Sequence, residues 1–291
     1  LFSTISEQGK TMLDIMPCLY DVLLNDLGND WHIEFNDLNG IGYDLDIERS
    51  IIMLNNFGLR PDCALKSPYF RPQIILHLVE ALRMTRHVEW LEGMLERYDP
   101  QTIILIGRVC VADTTVQKIK FAWESKIDGD TSLWKHILCG EHTDIATAFE
   151  SSLEKYLTAS MDLEQAQSKA MAVAFNQWFS NNERVNDCDH DTLDLVDGMI
   201  ADYARFEGRR LEKNAITCLT FIPGQDQSYL DRYLQEDILK NPYYSLVSDP
   251  INHIHFTQIL SDMNTVRVGG LVFSDRDLAA RFIVSEDIQI H

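Results

Sequence analysis

Two long apolar helical patterns lie almost back to back between residues 73 and 126, and no other feature narrows the fold as much. Ile74, Ile75, Leu78 and Leu82 recur at helical spacing, and the pattern runs from Gln73 to Tyr98, where Asp99-Pro100 stops it. A second pattern spans Ile103 to Lys126 and closes at Asp128-Gly129-Asp130. The chain is therefore expected to be built around helices, with any sheet subordinate to them.

The flanking segments fit that frame. Thr11 to Leu27 reads as an amphipathic helix stopped by Gly28. Trp31 to Phe35 and Tyr43 to Ile47 alternate apolar and polar around the turn-rich Asn36 to Gly42, and with Ile51 to Leu54 they predict a small antiparallel meander. Helices follow at Leu133–Leu138, Thr143–Tyr156, Leu163–Phe179 (with Ala166, Ala170 and Ala174 as a small-residue face) and Asp191–Arg209. Beyond Asn214, Ala215 to Ile222 reads as a strand ending in the Pro223-Gly224 turn, Tyr229 to Lys240 as a helix, Val266 to Phe273 as an interrupted strand and Asp275 to Phe282 as a last helix. The expected class is α+β and predominantly α-helical, a small antiparallel sheet followed by a helical core. Residues 1–213 form that core and 214–291 a C-terminal α/β extension packed on it, since no linker-like tract divides them.

Composition removes several functions. With 25 Lys+Arg against 45 Asp+Glu, the formal charge of −20 repels phosphate backbones and anionic lipid surfaces, so nucleic acid and membrane are not expected partners. Six cysteines (Cys18, Cys63, Cys110, Cys139, Cys188 and Cys218), widely spaced and without a C-x-x-C, read as buried thiols of a reducing compartment, and a cytoplasmic location is expected. No stretch approaches the ~20 apolar residues of a spanning helix.

The motifs of common chemistry are absent. There is no G-x-G-x-x-G, no G-x-x-x-x-G-K-[ST] and no G-x-S-x-G, and Asn39-Gly40-Ile41-Gly42 reads as a hairpin turn, so no cofactor is expected. His77 and Glu80 share a helical face but lack a third ligand, and His253 and His255 would face one side of a strand with the same shortage. Cys188-Asp189-His190-Asp191 reads as a helix start with an aspartate accepting from free backbone N–H groups. Asp113 and Glu124 lie eleven residues apart on one helix, about 16 Å along its axis, too far to act on one atom. The densest constellation is Ser132 to Ala146, which sets His136, His142, Glu141, Asp144 and Trp134 around a turn broken at Gly140; Trp134 and Ile137 suit the core there, and Glu141 and Thr143 suit a helix N-terminus.

That constellation carries a resemblance. Trp134-Lys135-His136-Ile137-Leu138 and Glu141-x-x-Asp144-Ile145-Ala146, with Ala122-Trp123-Glu124, Phe175-x-x-Trp178-Phe179 and Cys188-Asp189-His190, resemble an alphaproteobacterial family of unknown function labelled as a metallopeptidase domain. The resemblance spans roughly residues 30 to 205 and implies a zincin-like core: a small sheet, a helix with H-E-x-x-H, and a second helix with a third metal ligand. Laid on this chain, the five motif positions are Glu80, Ala81, Leu82, Arg83 and Met84, and the third ligand falls on Val111. Neither histidine nor the general-base glutamate is retained. Zinc hydrolysis needs imidazole or carboxylate ligands and a carboxylate near the bound water, so the chain reads as a scaffold without catalytic residues, metal ligands or cofactor.

The expected function is a binding or scaffold role toward a protein or peptide, through a pocket lined by Asp113, Glu124, His136, Glu141 and Asp144. One alternative is an active metal-dependent hydrolase that uses His77 or His87 with Glu80 or Glu141. Another is an interaction subunit of an assembly, anchored by Pro242-Tyr243-Tyr244.

Overall fold

A computed structural model of the chain describes residues 31–91, 95–201, 206, 208–210, 213–221, 228–230, 245–263, 266–268 and 271–273. The expected helices at Thr11–Leu27 and Asp275–Phe282, nearly all of that at Tyr229–Lys240, the Pro223-Gly224 turn and the Pro242-Tyr243-Tyr244 loop lie outside those residues.

Three strands open the described chain: β1 (His32–Asn36), β2 (Tyr43–Asp46) and β3 (Ile51–Asn55). They are not the expected antiparallel meander. The order is β1-β3-β2, with β1 parallel to β3 (His32 opposite Ile51) and β2 antiparallel to it (Tyr43 opposite Leu54). The reason is in the side chains: β3 is the most apolar of the three and goes to the centre, where both edges are paired, while the polar Tyr-Asp-Leu-Asp of β2 takes an edge. The 39–42 turn therefore exists but joins two strands that do not pair with each other. Asn39 and Gly40 have φ of 51° and 96°, and the amide of Ile41 donates to the Leu38 carbonyl at 3.1 Å, the backbone that an Asn-Gly pair adopts most readily.

Helices α1 (Pro61–Lys66) and α2 (Phe70–Leu91) follow; Pro72 falls in the first turn of α2, where its missing N–H costs nothing. A short 3-10 turn, Leu95–Arg97, leads to Asp99, whose carboxylate accepts from the Thr102 amide at 2.7 Å and caps α3 (Pro100–Ile127). This 28-residue helix is buried on nearly every side, which marks it as the axis of the molecule. Around it pack α2, α4 (Ser132–Leu138), α5 (Thr143–Thr158), α6 (Leu163–Trp178) and α7 (Asn182–Ala201). Ile33, Ile52 and Leu54 from the sheet join Ile74, Ile75 and Leu78 of α2 in the main core, which continues through Val109, Val116, Trp134, Phe149 and Phe175. The small residues Ala166, Ala170 and Ala174 are fully buried, so α6 presses closely on its neighbours.

After Lys213 the outcome differs more from expectation. Of the run read as a strand, Ala215 to Leu219 belong instead to α8 (Lys213–Leu219) and Phe221 makes an isolated antiparallel bridge to Ser228; a short apolar run has no period that separates a buried strand from a buried helix. His253 and His255 lie on α9 (Pro250–Met263), not on a strand. Val266 to Phe273 does form strands, β4 (Val266–Val268) and β5 (Leu271–Phe273), paired antiparallel. A second, smaller core of Ile103, Ile104, Leu193, Val196 and Ile259 joins α3, α7 and α9. The architecture is α+β and predominantly helical. No helix among the described residues is long and apolar enough to cross a membrane.

Candidate functional site

Five elements meet beside the sheet. The i, i+3 spacing on α2 sets His77 and Glu80 on one face, and His77 Nδ1 lies 3.1 Å from Glu80 Oε2. From α3, the Lys118 ammonium pairs with Glu80 Oε1 and also sits 3.2 Å from Nδ1 of His142, the residue that precedes α5. Tyr43, the first residue of β2, puts its ring 6.4 Å from that of His77. The backbone passes so close that a Cβ on Gly42 would overlap the His77 ring, which explains a glycine in an otherwise ordinary strand entry. His136, on α4, completes the group at its half-buried edge.

The charges in this cluster hold one another in place. Burial works against a Glu80 carboxylate, yet Lys118 and His77 outweigh it and bring Glu80 down to about 2. Burial, reinforced by Lys118, lowers His142 to about 3, so its imidazole is neutral and its Nδ1 accepts from the ammonium. Burial, His77 and Lys118 also lower His136, and burial with the Glu80 charge raises the Tyr43 phenol, which keeps its proton. The side chains of His77, Glu80, Lys118 and His142 remain 24%, 13%, 8% and 15% exposed, so the cluster is partly open to solvent. Chemically this is a set of fixed donors and acceptors with nearly balanced charge. It suits hydrogen bonding to a polar ligand better than polarising a carbonyl.

A second network lies further along the same two helices and is sealed. Asp113 accepts from Arg83 Nε at 2.5 Å, lies 3.0 Å from His87 Nε2, and accepts from the Tyr229 hydroxyl at 2.7 Å. Arg83 also donates to the carbonyls of Leu219 and Phe221. Burial opposes the Asp113 charge, but Arg83 and His87 keep its pKa low; burial lowers His87 and raises Tyr229. A third buried pair, Arg108 with Asp189, uses two N–H groups at 2.6 Å each, and Arg108 also donates to the Ser245 carbonyl.

The residues expected to line a pocket are thus distributed. Asp113 has both oxygens engaged in the core. Glu124 accepts from Lys120 and Gln167 elsewhere on α3. His136 borders the cluster, Glu141 is exposed 3.7 Å from His142, and Asp144 accepts from Arg184 and Gln177. Thr143 does not cap α5; its hydroxyl donates to the carbonyls of Gly140 and Leu138, closing the end of α4. Asp189 and Asp191 lie well inside α7 rather than at a helix start, and Asp189 serves Arg108. Of the hydrolase candidates, His77 and Glu80 converge, Glu141 stays exposed beside His142, and His87 belongs to the sealed network. Sequence reasoning missed Lys118 and Tyr43. A signal for Lys118 existed: α2 and α3 run side by side with two opposite-charge pairings, Arg83 with Asp113 and Glu80 with Lys118, one turn apart on α2.

A zinc-type centre does not fit the positions to which the resemblance would assign it. Ala81 and Val111 carry no donor atom, Met84 offers only a thioether, and both Glu80 oxygens are engaged by Lys118 and His77. Residues 85–195 match a family model described as Putative metallopeptidase family. The match covers less than half of the 291 residues and begins just after Met84, so it includes His87, Asp113 and Lys118 but not His77, Glu80, Arg83 or Tyr229. No curated protein and no solved structure matches the chain.

Proposed function

We propose that this chain is a non-catalytic relative of metallopeptidases that acts as a binding scaffold for a protein or peptide. The observation that carries the reading is the engagement of Glu80. Where the H-E-x-x-H frame would need a free ligand, a carboxylate is neutralised by the protein's own ammonium, Lys118, and flanked by His77 and His142. Glu80 could not serve a divalent ion without releasing Lys118, and with Ala81 at the position of the general base no water would be activated. The remaining donors and acceptors, with His136, Glu141 and Asp144 along the rim, suit the amide groups of a peptide. A formal charge of −20 supports a protein partner over a polyanion.

In the same reading, residues 214–291 are an extension fastened to a 1–213 core. Arg83 to Leu219 and Phe221, Tyr229 to Asp113, and Arg108 to Ser245 supply the support. The described cysteines are free thiols, as suits a reducing, cytoplasmic setting.

The test is a fluorogenic peptide library incubated with the zinc-loaded full chain, the H190A/H255A variant and Glu80→Gln. No cleavage above the buffer control is expected from any of them. Hydrolysis that survives H190A/H255A but is abolished in Glu80→Gln would overturn the non-catalytic reading.

A further inference from the structure

Far from the Glu80 cluster, helices α7 and α9 bring three metal-ligating side chains together. His190 and Asp194 are four residues apart on α7 and so share one face, with His190 Nε2 3.8 Å from Asp194 Oδ2. His255 of α9 points at the same spot, its Nδ1 3.9 Å from Asp194 Oδ1. One ligand atom from each of the three lies within 4.8 Å of the others, and among the described residues no other group of three or more His, Cys, Asp or Glu side chains does this.

Two features distinguish this group from an ordinary patch of surface charge. Its separations are too long for hydrogen bonds, yet close to the roughly 3.3 Å between donors that surround a tetrahedral ion at about 2.0–2.1 Å. The two distances run to different oxygens of Asp194, and one atom from each residue lies within 4.8 Å of the others, so closing on an ion takes up to roughly 1.5 Å of movement. His190 and Asp194, at 55% and 61% exposed, are free to make it, while His255, at 24%, is the more fixed of the three. The second feature is the other edge of the His255 ring, where Nε2 lies 3.8 Å from Asp197 Oδ2, an ion-pair separation that a small turn of the exposed carboxylate would close to a hydrogen bond. A histidine that offers Nδ1 to a metal while its Nε2–H faces a carboxylate has the outer partner that fixes its tautomer and strengthens it as a ligand.

The backbone beneath is already set. Ile259 packs with Leu193 and Val196, and Asn252 Nδ2 donates to the Asn186 carbonyl at 2.7 Å, so α9 is seated on α7 without help from an ion. Only His255 takes part; His253, two residues earlier on the helix, points away, which is why the His-x-His spacing suggested a chelate of the wrong kind. Asp187 and Asp191 on α7 add negative charge nearby, which favours a cation.

We infer that His190, Asp194 and His255 form a surface site for one zinc-class divalent ion, oriented by Asp197, which ties α9 to α7. The site is independent of the proposed binding role. The test uses the full chain, stripped with chelator and titrated with Zn²⁺ by calorimetry and with Co²⁺ by visible absorption. One equivalent is expected to bind with micromolar or tighter affinity, with a rise of a few degrees in the melting temperature. His190→Ala and His255→Ala should each weaken binding at least tenfold and remove the thermal shift, and Asp197→Asn should weaken it about tenfold. These side chains are on the surface, so circular dichroism should show the variants folded. No stoichiometric binding at 100 μM zinc, or binding that is unchanged in the H190A/H255A variant, overturns the site; neither result bears on Glu80.

Discussion

The two polar networks between α2 and α3 are built from the same kinds of residue and do opposite things. At Asp113, a carboxylate, a guanidinium, an imidazole and a phenol are closed off from water and leave no oxygen of the carboxylate free. At Glu80, a carboxylate and two imidazoles keep some exposure around a buried ammonium, between the sheet and the α4–α5 junction. The first reaches toward the C-terminal part of the chain through Leu219, Phe221 and Tyr229. The second reaches toward β2 through Tyr43 and Gly42. The contrast teaches that the number of charged groups in a cluster does not mark a site. What matters is whether a partner from outside could still reach them.

The sharpest way to break the comparison is Asp113→Ala. It would strand Arg83, His87 and Tyr229 in the core, and a loss of about 3–5 kcal/mol is expected, measured by urea unfolding. A loss under about 1 kcal/mol would mean that the sealed network is not the structural one.

Acid should reveal the next largest effect. His142 is held at about 3 in the folded chain against an ordinary 6.5, so the unfolded chain binds the extra proton between those values. Stability is then complete above pH 6.5 and falls as the pH drops below it, by roughly 1.4 kcal/mol per pH unit from this group at the steepest. Glu80, depressed from 4.5 to about 2, adds a second loss that begins only below pH 4.5. His142→Asn should flatten the urea midpoint between pH 6.5 and about 3, leaving only the loss from Glu80 below pH 4.5. His87 is also lowered and contributes in the same direction, so flattening should be partial. An unchanged profile would remove His142 from the cluster's electrostatics.

How much of this was legible depended on whether a pattern was local. The long helices were visible because Ile74 to Leu82 and Ile103 to Lys126 repeat over many turns, and Asp99-Pro100 carries its own stop and cap. Trp134 and Ile137 were legible as core for the same reason. The order of the strands was not, since pairing depends on which strand is apolar enough to take the centre, and neighbours in sequence are only the default. Nor was the role of Asp189: a carboxylate near a helical pattern suggests a cap, and its partner Arg108 is 81 residues away. His77 and Glu80 stood out from their spacing, but Lys118, which decides what they can do, stood out only when α2 and α3 were laid side by side. Asp113 and Glu124 stand apart from the other expected pocket residues for a related reason. A helix as buried as α3 turns its residues toward different neighbours, so Asp113 and Glu124 serve separate partners.

Glu80→Gln sharpens the comparison from the open side. The amide keeps the shape and can still accept from Lys118, and water can reach the group, so the expected cost is about 1–2 kcal/mol, well below that of Asp113→Ala. Equal costs would make both networks structural and leave the chain without a candidate site beside the sheet.

The smallest effect expected is that of Gly42→Ala. The added methyl group meets the His77 ring, which lies at an edge and can turn, so about 1 kcal/mol is enough to accommodate it. The informative reading is in the spectrum rather than the stability: the ring resonances of His77 and His142 should move, because displacing His77 frees Oε2 of Glu80 and draws Lys118, now on Oε1, toward it and away from His142. Those of His87 should stay where they are, since Asp113 holds that ring from a different pair of turns. Movement of all three would show that the two networks respond as one body, and the distinction between a sealed support and an open site would have to be given up.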